Sequence, residues 1–430
     1  MILGNYIEQK YKNIIFHIDV NSAFLSWSAV KKLKEEPGSV DLRTIPSAVG
    51  GDVKSRHGII TAKSIPAKKY GIVTGEPVVK ALQKCPKLVL VKSDFKTYRE
   101  YSHAFISIIS KYSPIVEQVS IDEAYLDLSG MRNLFSESES SDFPFPTNIA
   151  NLIKNEVRDT LGFTVNVGIS CNKLLAKMAS DFTKPDKVHT LFPEEIKEKM
   201  WPLPIGDLYG CGKQTAQRLI SMGIRTIGDA ANTDPLVLVS ILGDNAGSYI
   251  YSSANGHGSA NVSGHYEDAK SYSNETTLSS DLTADSYDKE MLPVLKALSL
   301  SVSKRLKKDR VFGRTVTVSV KTGSFKRHSA QMQLDNSTDD EKKICLSAKA
   351  LADKLLLGDD GLFIKGEVVR LVGVGVSKLD DGSYRQLNLF DDMINPAFSV
   401  KSERQKKLDK MTEDLDNRFG KNTIIKGSSL

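Results

Sequence analysis

The sequence predicts an α+β protein of several domains, organised around a ferredoxin-like β-α-β-β-α-β unit. Three observations predict it. The chain has 430 residues, and at about 150 residues per domain that is too long for one ordinary core. Short β-branched apolar runs and longer helical stretches succeed one another in the ferredoxin order between residues 14 and 169,. Downstream, a Gly-rich turn between two short helical stretches reads as a helix-hairpin-helix, followed by a second α+β segment,.

Each element has a local reason. Ile14-Ile15-Phe16-His17-Ile18-Asp19 is a buried strand ending in an acid, and Ser22 to Glu35 is a helix closed by Pro37-Gly38,. Within residues 45–92, Ile59–Ala62 and Leu88–Val91 read as strands. Ser64–Tyr70 reads as a short helix with Ser64 as N-cap, Pro66 in the first turn and Gly71 at its stop,. A helix over Lys96–Tyr112, strands at Ile115–Val119 and Ala124–Leu128, a helix over Asn148–Leu161 and a strand at Thr164–Ile169 complete the unit,. Gly210-Cys211-Gly212-Lys213 precedes a helix, Gln214–Met222, which Gly223 ends, and Ile227-Gly228-Asp229 opens the next. Ser252–Gly264 reads as a linker, and residues 266–378 as the second α+β unit, with strands at Arg314–Val320 and Val368–Val376.

Composition excludes some classes. Charged residues are 26% and apolar residues 40% of the chain, as in soluble globular proteins. No stretch approaches the ~18 apolar residues of a membrane span, and the N-terminus has no signal-peptide pattern, so a cytoplasmic protein is expected. The four cysteines, Cys85, Cys171, Cys211 and Cys345, never stand at C-x-x-C spacing, which argues against zinc and redox motifs. Net charge is only +6, but Lys304, Arg305, Lys307, Lys308, Arg310, Arg314, Lys321, Lys326 and Arg327 fall in one run with a single acid, Asp309. Such a run is ordinarily a solvated stripe. It can also be a footprint for phosphate.

The ferredoxin order sets the third strand antiparallel beside the first. The end of the first strand, Asp19, then lies near the start of the third, Asp122 and Glu123. In-line phosphoryl transfer needs the attacking and leaving oxygens neutralised together, which two divalent ions about 3.5–4 Å apart can do. Mg²⁺ takes hard oxygen ligands, and carboxylates supply them. By spacing alone, acids at strand ends are ordinarily solvated side chains.

The neighbouring residues add a resemblance. Ser120-Ile121-Asp122-Glu123-Ala124-Tyr125-Leu126-Asp127 resembles the palm motif of the Y-family DNA polymerases, and His17-Ile18-Asp19-Val20-Asn21-Ser22-Ala23-Phe24 resembles their first motif. Thr164 to Ser170 with Asn172-Lys173, Ala176-Lys177, Ala179-Ser180-Asp181 and Lys184-Pro185 is similar to the third. The resemblance implies a right hand: palm at 1–21 and 95–192, fingers at 22–94, thumb at 193–258, a linker at 259–265, a little finger at 266–378 and a tail at 379–430.

It also implies roles. Asp19 and Asp122 would hold both of two Mg²⁺ ions, with Mn²⁺ able to replace them. Glu123 would complete the catalytic ion, and the Val20 carbonyl would be a further ligand. Lys184 would hold the triphosphate, with Asp181 supporting it. Phe24 would press on the sugar and exclude ribonucleotides. His17 is a strand residue of structural character. The family's Tyr-Glu-Ala-Arg run on the fingers appears here as Ile65-Pro66-Ala67-Lys68. Lys68 keeps a point charge but not a bidentate fork, and Ile65 offers no hydrogen bond.

Gly210, Gly212 and Lys213 would bind a duplex phosphate at a helix N-terminus, and Lys304, Arg305, Arg310, Arg314, Lys326 and Arg327 would track the DNA backbone. Gln386-Leu387-Asn388-Leu389-Phe390 resembles the peptide by which bacterial polymerases dock on the sliding clamp, with Gln386, Leu389 and Phe390 as its anchors,. Beyond it, Leu408, Met411, Leu415 and Phe419 mark one face of a helix stopped by Gly420,. The expected function is low-fidelity, template-directed DNA synthesis by a monomer on primer-template DNA and deoxynucleoside triphosphates, bypassing damaged bases. Two alternatives use the same residues: an inactive DNA-binding accessory protein, or a metal-dependent nuclease or phosphatase.

Overall fold

The computed structural model describes residues 10–52, 58–138, 144–264, 268–382 and 411. The chain divides into two compact units, Met1–Glu267 and Asp268–Leu430.

The strands of the first unit are β1 (Ile15–Val20), β2 (Ser47–Gly50), β3 (Ile60–Lys63), β4 (Val89–Val91), β5 (Val116–Gln118), β6 (Glu123–Asp127), β7 (Val165–Ser170) and β8 (Val188–Thr190). Five of them form one sheet in the order β5-β6-β1-β7-β8. The first four are the ferredoxin order the sequence predicts, with β1 antiparallel to both neighbours. β8 is added outside it, parallel to β7.

β1 reads as a continuous apolar run because it is central and covered on both faces. Phe16, Ile18 and Val20 enter the main core, with Trp27, Tyr98 and Phe105 from helices Ala23–Glu35 and Phe95–Ile109, and Ile149 and Ile153 from helix Thr147–Leu161. Ile15 points the other way, into a small cluster with Tyr125, Ala176 and Val262. Helix Lys173–Asp181 covers that second face. It approaches β7 so closely that a Cβ on Gly168 would lie inside the Ala176 carbonyl and the Ser180 amide.

The stretch between β1 and β5 builds a three-stranded sheet, β3-β2-β4, with its own core of Ala48, Ile60, Ala67, Val78, Ala81 and Leu88. The Ser64 hydroxyl caps helix Ile65–Lys68 by accepting from the Ala67 amide at 3.0 Å, a contact worth about 1 kcal/mol. A third core lies under helices Lys213–Ser221, Ile227–Asn232, Pro235–Leu242 and Asp244–Ala254. The described part of the Gly/Ser-rich stretch read as a linker behaves differently from that expectation. Residues 252–254 end a helix. Past it, Gly256, Ser259 and Ser263 bond to Asn172, Lys173 and Glu117 of the same unit.

The second unit is an antiparallel sheet, β11-β10-β12-β9, made of β9 (Ser271–Leu282), β10 (Phe312–Thr322), β11 (Arg327–Thr338) and β12 (Val369–Asp380). Helices Tyr287–Lys308 and Glu341–Leu357 cover one face, over Val316, Val318, Val320, Val372 and Val374. The opposite face carries Ser273, Glu275, Thr317, Ser319, Gly373 and Gly375 around an open groove. The sequence signals only β10 and β12 because these two inner strands carry the valines. β9 and β11 are edge strands and polar along most of their length, which suppresses edge-to-edge aggregation and also hides them. Among the described residues no helix is long and apolar enough to cross a membrane.

Both tryptophans, Trp27 and Trp201, lie in the first unit, so their fluorescence follows that unit alone. Gly168→Ala should lower its urea midpoint, at a cost of about 3 kcal/mol, by forcing the 173–181 helix off the sheet. An unchanged midpoint would mean that the helix can shift freely.

Candidate active site

Strand alternation sets the site. Ile15, His17 and Asp19 share one face of β1, and Glu123, Tyr125 and Asp127 share the same face of β6. The register pairs Asp19 with Glu123 and His17 with Tyr125. Asp122 sits one residue before β6, where its carbonyl accepts from the Val20 amide at 3.0 Å. The three acids separated in sequence are therefore assembled at one end of two adjacent strands.

The 173–181 helix lays cations over them. Lys177 Nζ is 3.4 Å from Asp19 Oδ2, 3.0 Å from Glu123 Oε2 and 3.4 Å from Asp181 Oδ2. Lys184 Nζ is 3.0 Å from Asp19 Oδ1 and 2.9 Å from Asp181 Oδ1. Burial opposes both charges, but the carboxylates outweigh it and raise the pKa of each lysine. His17 is fully buried, bonds Ser180 Oγ through Nδ1 at 2.8 Å, and brings Nε2 to 3.3 Å from Glu123 Oε2. That last contact is an electrostatic approach rather than an aligned hydrogen bond. Burial lowers the imidazole pKa, with the charges of Glu123 and Asp19 acting against it,. His17, and then Lys177, hold the Glu123 carboxyl down at about 2 against the effect of burial. Asp122 is different: burial raises its pKa, the Ser120 hydroxyl at 2.6 Å partly offsets this, and the charges of Asp19 and Glu123 raise it further.

The sequence assigned no role to Lys177, although its spacing of four from Asp181 was a usable signal. His17, read as structural, is indeed buried, and it also faces Glu123. Asn21 ties the site together: its amide donates to Asn166 Oδ1 at 3.1 Å, and its own oxygen accepts from Thr164 Oγ1 at 2.9 Å and the Asp186 amide at 3.0 Å. This anchors the loop bearing Lys184 to the end of β1.

Two cavities open around the end of β1, one of them lined by the carboxylates. One, of about 240 Å³, is lined by Asp19, Val20, Phe24, Lys63, Thr74 and Asp122 among others. The Phe24 ring is held by stacking on Tyr98, with centroids 4.6 Å apart and planes at 12°, and meets Phe95 edge-on. The other, of about 390 Å³, brings Ile65 and Lys68 to the same walls as Lys184 and Pro185. Among the described residues, no three carboxylate, imidazole or thiol side chains close a metal cage as they stand. The donors at the strand ends are nevertheless hard oxygens, and part of their charge is balanced by ammonium groups. This is the chemistry that suits Mg²⁺ or Mn²⁺.

The hairpin residues are exposed. Gly210 has φ +84°, and a Cβ there would overlap the Tyr249 ring. Gly212 is the N-cap of the helix that Lys213 begins. In the second unit the basic run spreads over a helix end, β10 and the β10–β11 hairpin. Lys304, Arg310 and Lys326 are exposed. Three of its residues are engaged at home: Arg305 bonds the Ser273 carbonyl and lies over the Tyr272 ring, Arg314 bonds the Leu334 carbonyl at 3.1 Å, and Arg327 pairs with Glu275 at 2.9 Å. Gln386, Leu389 and Phe390 lie outside the described residues, as does all of the C-terminal helix except Met411.

The fold and site together define a class. Over 85% of this chain and 98% of the other, the structure matches a Y-family DNA polymerase chimera with a TM-score of 0.70 at 24% identity. In sequence, residues 18–181 match the impB/mucB/samB family, residues 193–224 the IMS family HHH motif and residues 269–389 the impB/mucB/samB family C-terminal domain. DNA polymerase IV of Clostridium acetobutylicum is 39% identical over 96% of this chain and 97% of its own length. DNA polymerase IV 1 of Bacillus subtilis is 33% identical over 97% and 93%. The chain belongs to the impB/mucB/samB family, alongside the bacterial DNA polymerases IV.

Proposed function

We propose that this chain is a template-directed DNA polymerase that extends a primer 3′-end with deoxynucleotides and bypasses damaged template bases in DNA repair. The observation that carries the reading is the pairing of Asp19 with Glu123, beside Asp122, at the rim of a cavity walled by Phe24. An accessory protein without activity would have no use for these acids, and no observation favours the nuclease.

Asp19, Asp122 and the Val20 carbonyl would hold two Mg²⁺ ions, with Glu123 completing the catalytic one and Mn²⁺ as a substitute. When bound, the ions neutralise the attacking 3′-oxygen and the departing pyrophosphate. Lys184 would then turn from Asp19 to the triphosphate. Lys177, only 13% exposed, would stay beneath Glu123 and fix its direction. Phe24, locked by its ring neighbours, would meet the sugar at C2′, where a hydroxyl has no room. Lys68 would add positive charge from the fingers.

The proposed domains are palm at 1–21 and 95–192, fingers at 22–94, thumb at 193–258, a connecting segment at 259–265 that is bonded to the palm through Ser259 and Ser263, little finger at 266–378 and tail at 379–430. Gly210, Gly212 and Lys213 would hold duplex phosphate. Lys304, Arg310 and Lys326 would contact the DNA backbone directly, whereas Arg305, Arg314 and Arg327 would first have to leave their internal partners. The protein would act as a cytoplasmic monomer tethered to the sliding clamp through residues 386–390, which raises its effective concentration at the primer end.

Three measurements test this. With primer-template, all four deoxynucleotides and Mg²⁺, the wild type should extend, and Asp122→Asn should lose extension by at least about a thousandfold while still binding DNA. Near-normal extension by that variant would remove the two-metal assignment. Phe24→Ala should incorporate ribonucleotides that the wild type rejects, and continued rejection would place the gate elsewhere. The double variant Leu389→Ala, Phe390→Ala should extend normally without clamp and lose stimulation by it; unaltered stimulation would end the tail assignment.

A further inference from the structure

The fingers of this chain lack the aromatic hydroxyl and the guanidinium that its resemblance leads one to expect, since Ile65 and Lys68 stand in their places. The structure shows a different cation at the same cleft. Along β3, Ile60 is buried in the small core and Ala62 against the main core, while Thr61 and Lys63, only partly buried, line the cleft,. Lys63 is the one residue in this strand that lines both cavities: the one with Asp19, Asp122 and Phe24, and the one with Lys68 and Lys184. It therefore stands on the wall shared by the two cavities.

Lys63 is also poorly compensated. Its Nζ donates to Thr74 Oγ1 at 3.1 Å. No carboxylate lies within ion-pair distance of it among the described residues. The acid that acts on it, Glu76, is already paired with Lys84 at 2.6 Å. Two other cations at the cleft have acids of their own: Lys184 has Asp19 and Asp181, and Arg43 has Asp41. Burial first, and then the neighbouring charge of Lys68, lowers the Lys63 pKa. A partly enclosed ammonium facing a second ammonium is unfavourable in isolation. An anion lying between them relieves it.

We propose that Lys63 contacts the phosphate tail of the incoming nucleoside triphosphate directly and, with Lys68, replaces the missing aromatic and guanidinium contacts. The inference rests on the polymerase reading above. The geometry suits a linear polyanion whose reacting phosphate lies at the carboxylates and whose terminal phosphates run toward Lys68 and Lys184. An ammonium has three rotatable donors and no fixed fork, so it can serve any of the terminal oxygens.

The test is single-nucleotide insertion by the full chain, titrating the deoxynucleoside triphosphate on a primer-template, for the wild type, Lys63→Ala, Lys63→Met and Lys63→Arg. Loss of a charge-assisted contact should raise KM about tenfold in the Ala and Met variants, with the effect on KM larger than that on kcat. Lys63→Arg should recover most of it. Binding of the triphosphate and of the corresponding monophosphate to the enzyme on a dideoxy-terminated primer supplies a readout without turnover. The wild type's preference for the triphosphate should shrink in Lys63→Ala. Primer-template affinity and the melting temperature should stay at wild-type values. An unchanged KM and triphosphate preference in both Ala and Met variants overturns the proposal, as does a loss confined to primer-template affinity, which would make Lys63 a DNA-backbone contact. If the wild type itself fails to extend a primer, the polymerase reading falls instead.

Discussion

The antiparallel register of β1 on β6 is the constraint from which the site follows. Pairing Asp19 with Glu123 does more than bring two acids together. Because side chains alternate, it also fixes that His17, Tyr125 and the β7 partner Gly168 share their face,. A slip of one residue would send the carboxylates into the apolar core beside Phe16 and Ile18. That core is closed by Trp27, Tyr98 and Phe105, so the slip is strongly disfavoured. The missing side chain at Gly168 then lets the helix bearing Lys177, Ser180 and Asp181 settle onto the same face. The packing of the sheet and the electrostatics of the site are thus one arrangement.

That arrangement holds two kinds of lysine. Lys177 is enclosed by Asp19, Glu123 and Asp181, and a buried ammonium with three acid partners is expensive to withdraw. It behaves as part of the frame. Lys184 is on a loop, is 36% exposed and shares Asp19 with Lys177, so its pairing is weaker and its head reaches the cavity. Asn21 keeps that loop in place without contributing charge. Among the described residues Asp122 has no ammonium partner of this kind, and burial and its acidic neighbours disfavour its ionised form. A cation is the natural complement to it.

Much of this was legible in the sequence because it rests on short-period patterns. The β-α-β-β-α-β order, the capped turn at Ser64 and the convergence of Asp19, Asp122 and Glu123 each follow from local rules plus one topological step. What was not legible depends on long-range approach or on exposure. The role of Lys177 needs the distance between a helix and a strand separated by 158 residues. β9 and β11 carry few apolar residues because they lie at sheet edges, so nothing in their composition marks them as strands. The Gly/Ser-rich stretch looks like a tether by composition, yet its described part is bonded to Asn172, Lys173 and Glu117, and partners of this kind cannot be read from composition.

The cleft sets opposite imbalances side by side. On one side are acids whose charge is only partly balanced; on the other, the charge of Lys68 adds to burial in disfavouring the Lys63 ammonium, against a weaker opposing effect of Glu76. Each cluster alone is a cost to the folded chain. On the proposed reading, a metal-bound triphosphate would present cations to the first and phosphate oxygens to the second, and so would relieve both at once. Partial binding would relieve only one: a free metal ion would leave the lysines uncompensated, and a monophosphate would carry too few charges to serve both. Discrimination would then come from the spacing of charge in the ligand rather than from a shaped hydrogen-bonding fork. On that reading the fingers would do without a fork at Ile65 and Lys68, and the place of Lys63 at the end of a strand has a use. Its Cα is fixed by pairing with Ala48, so its charge is delivered to the boundary between the two clusters, where a flexible loop could not hold it.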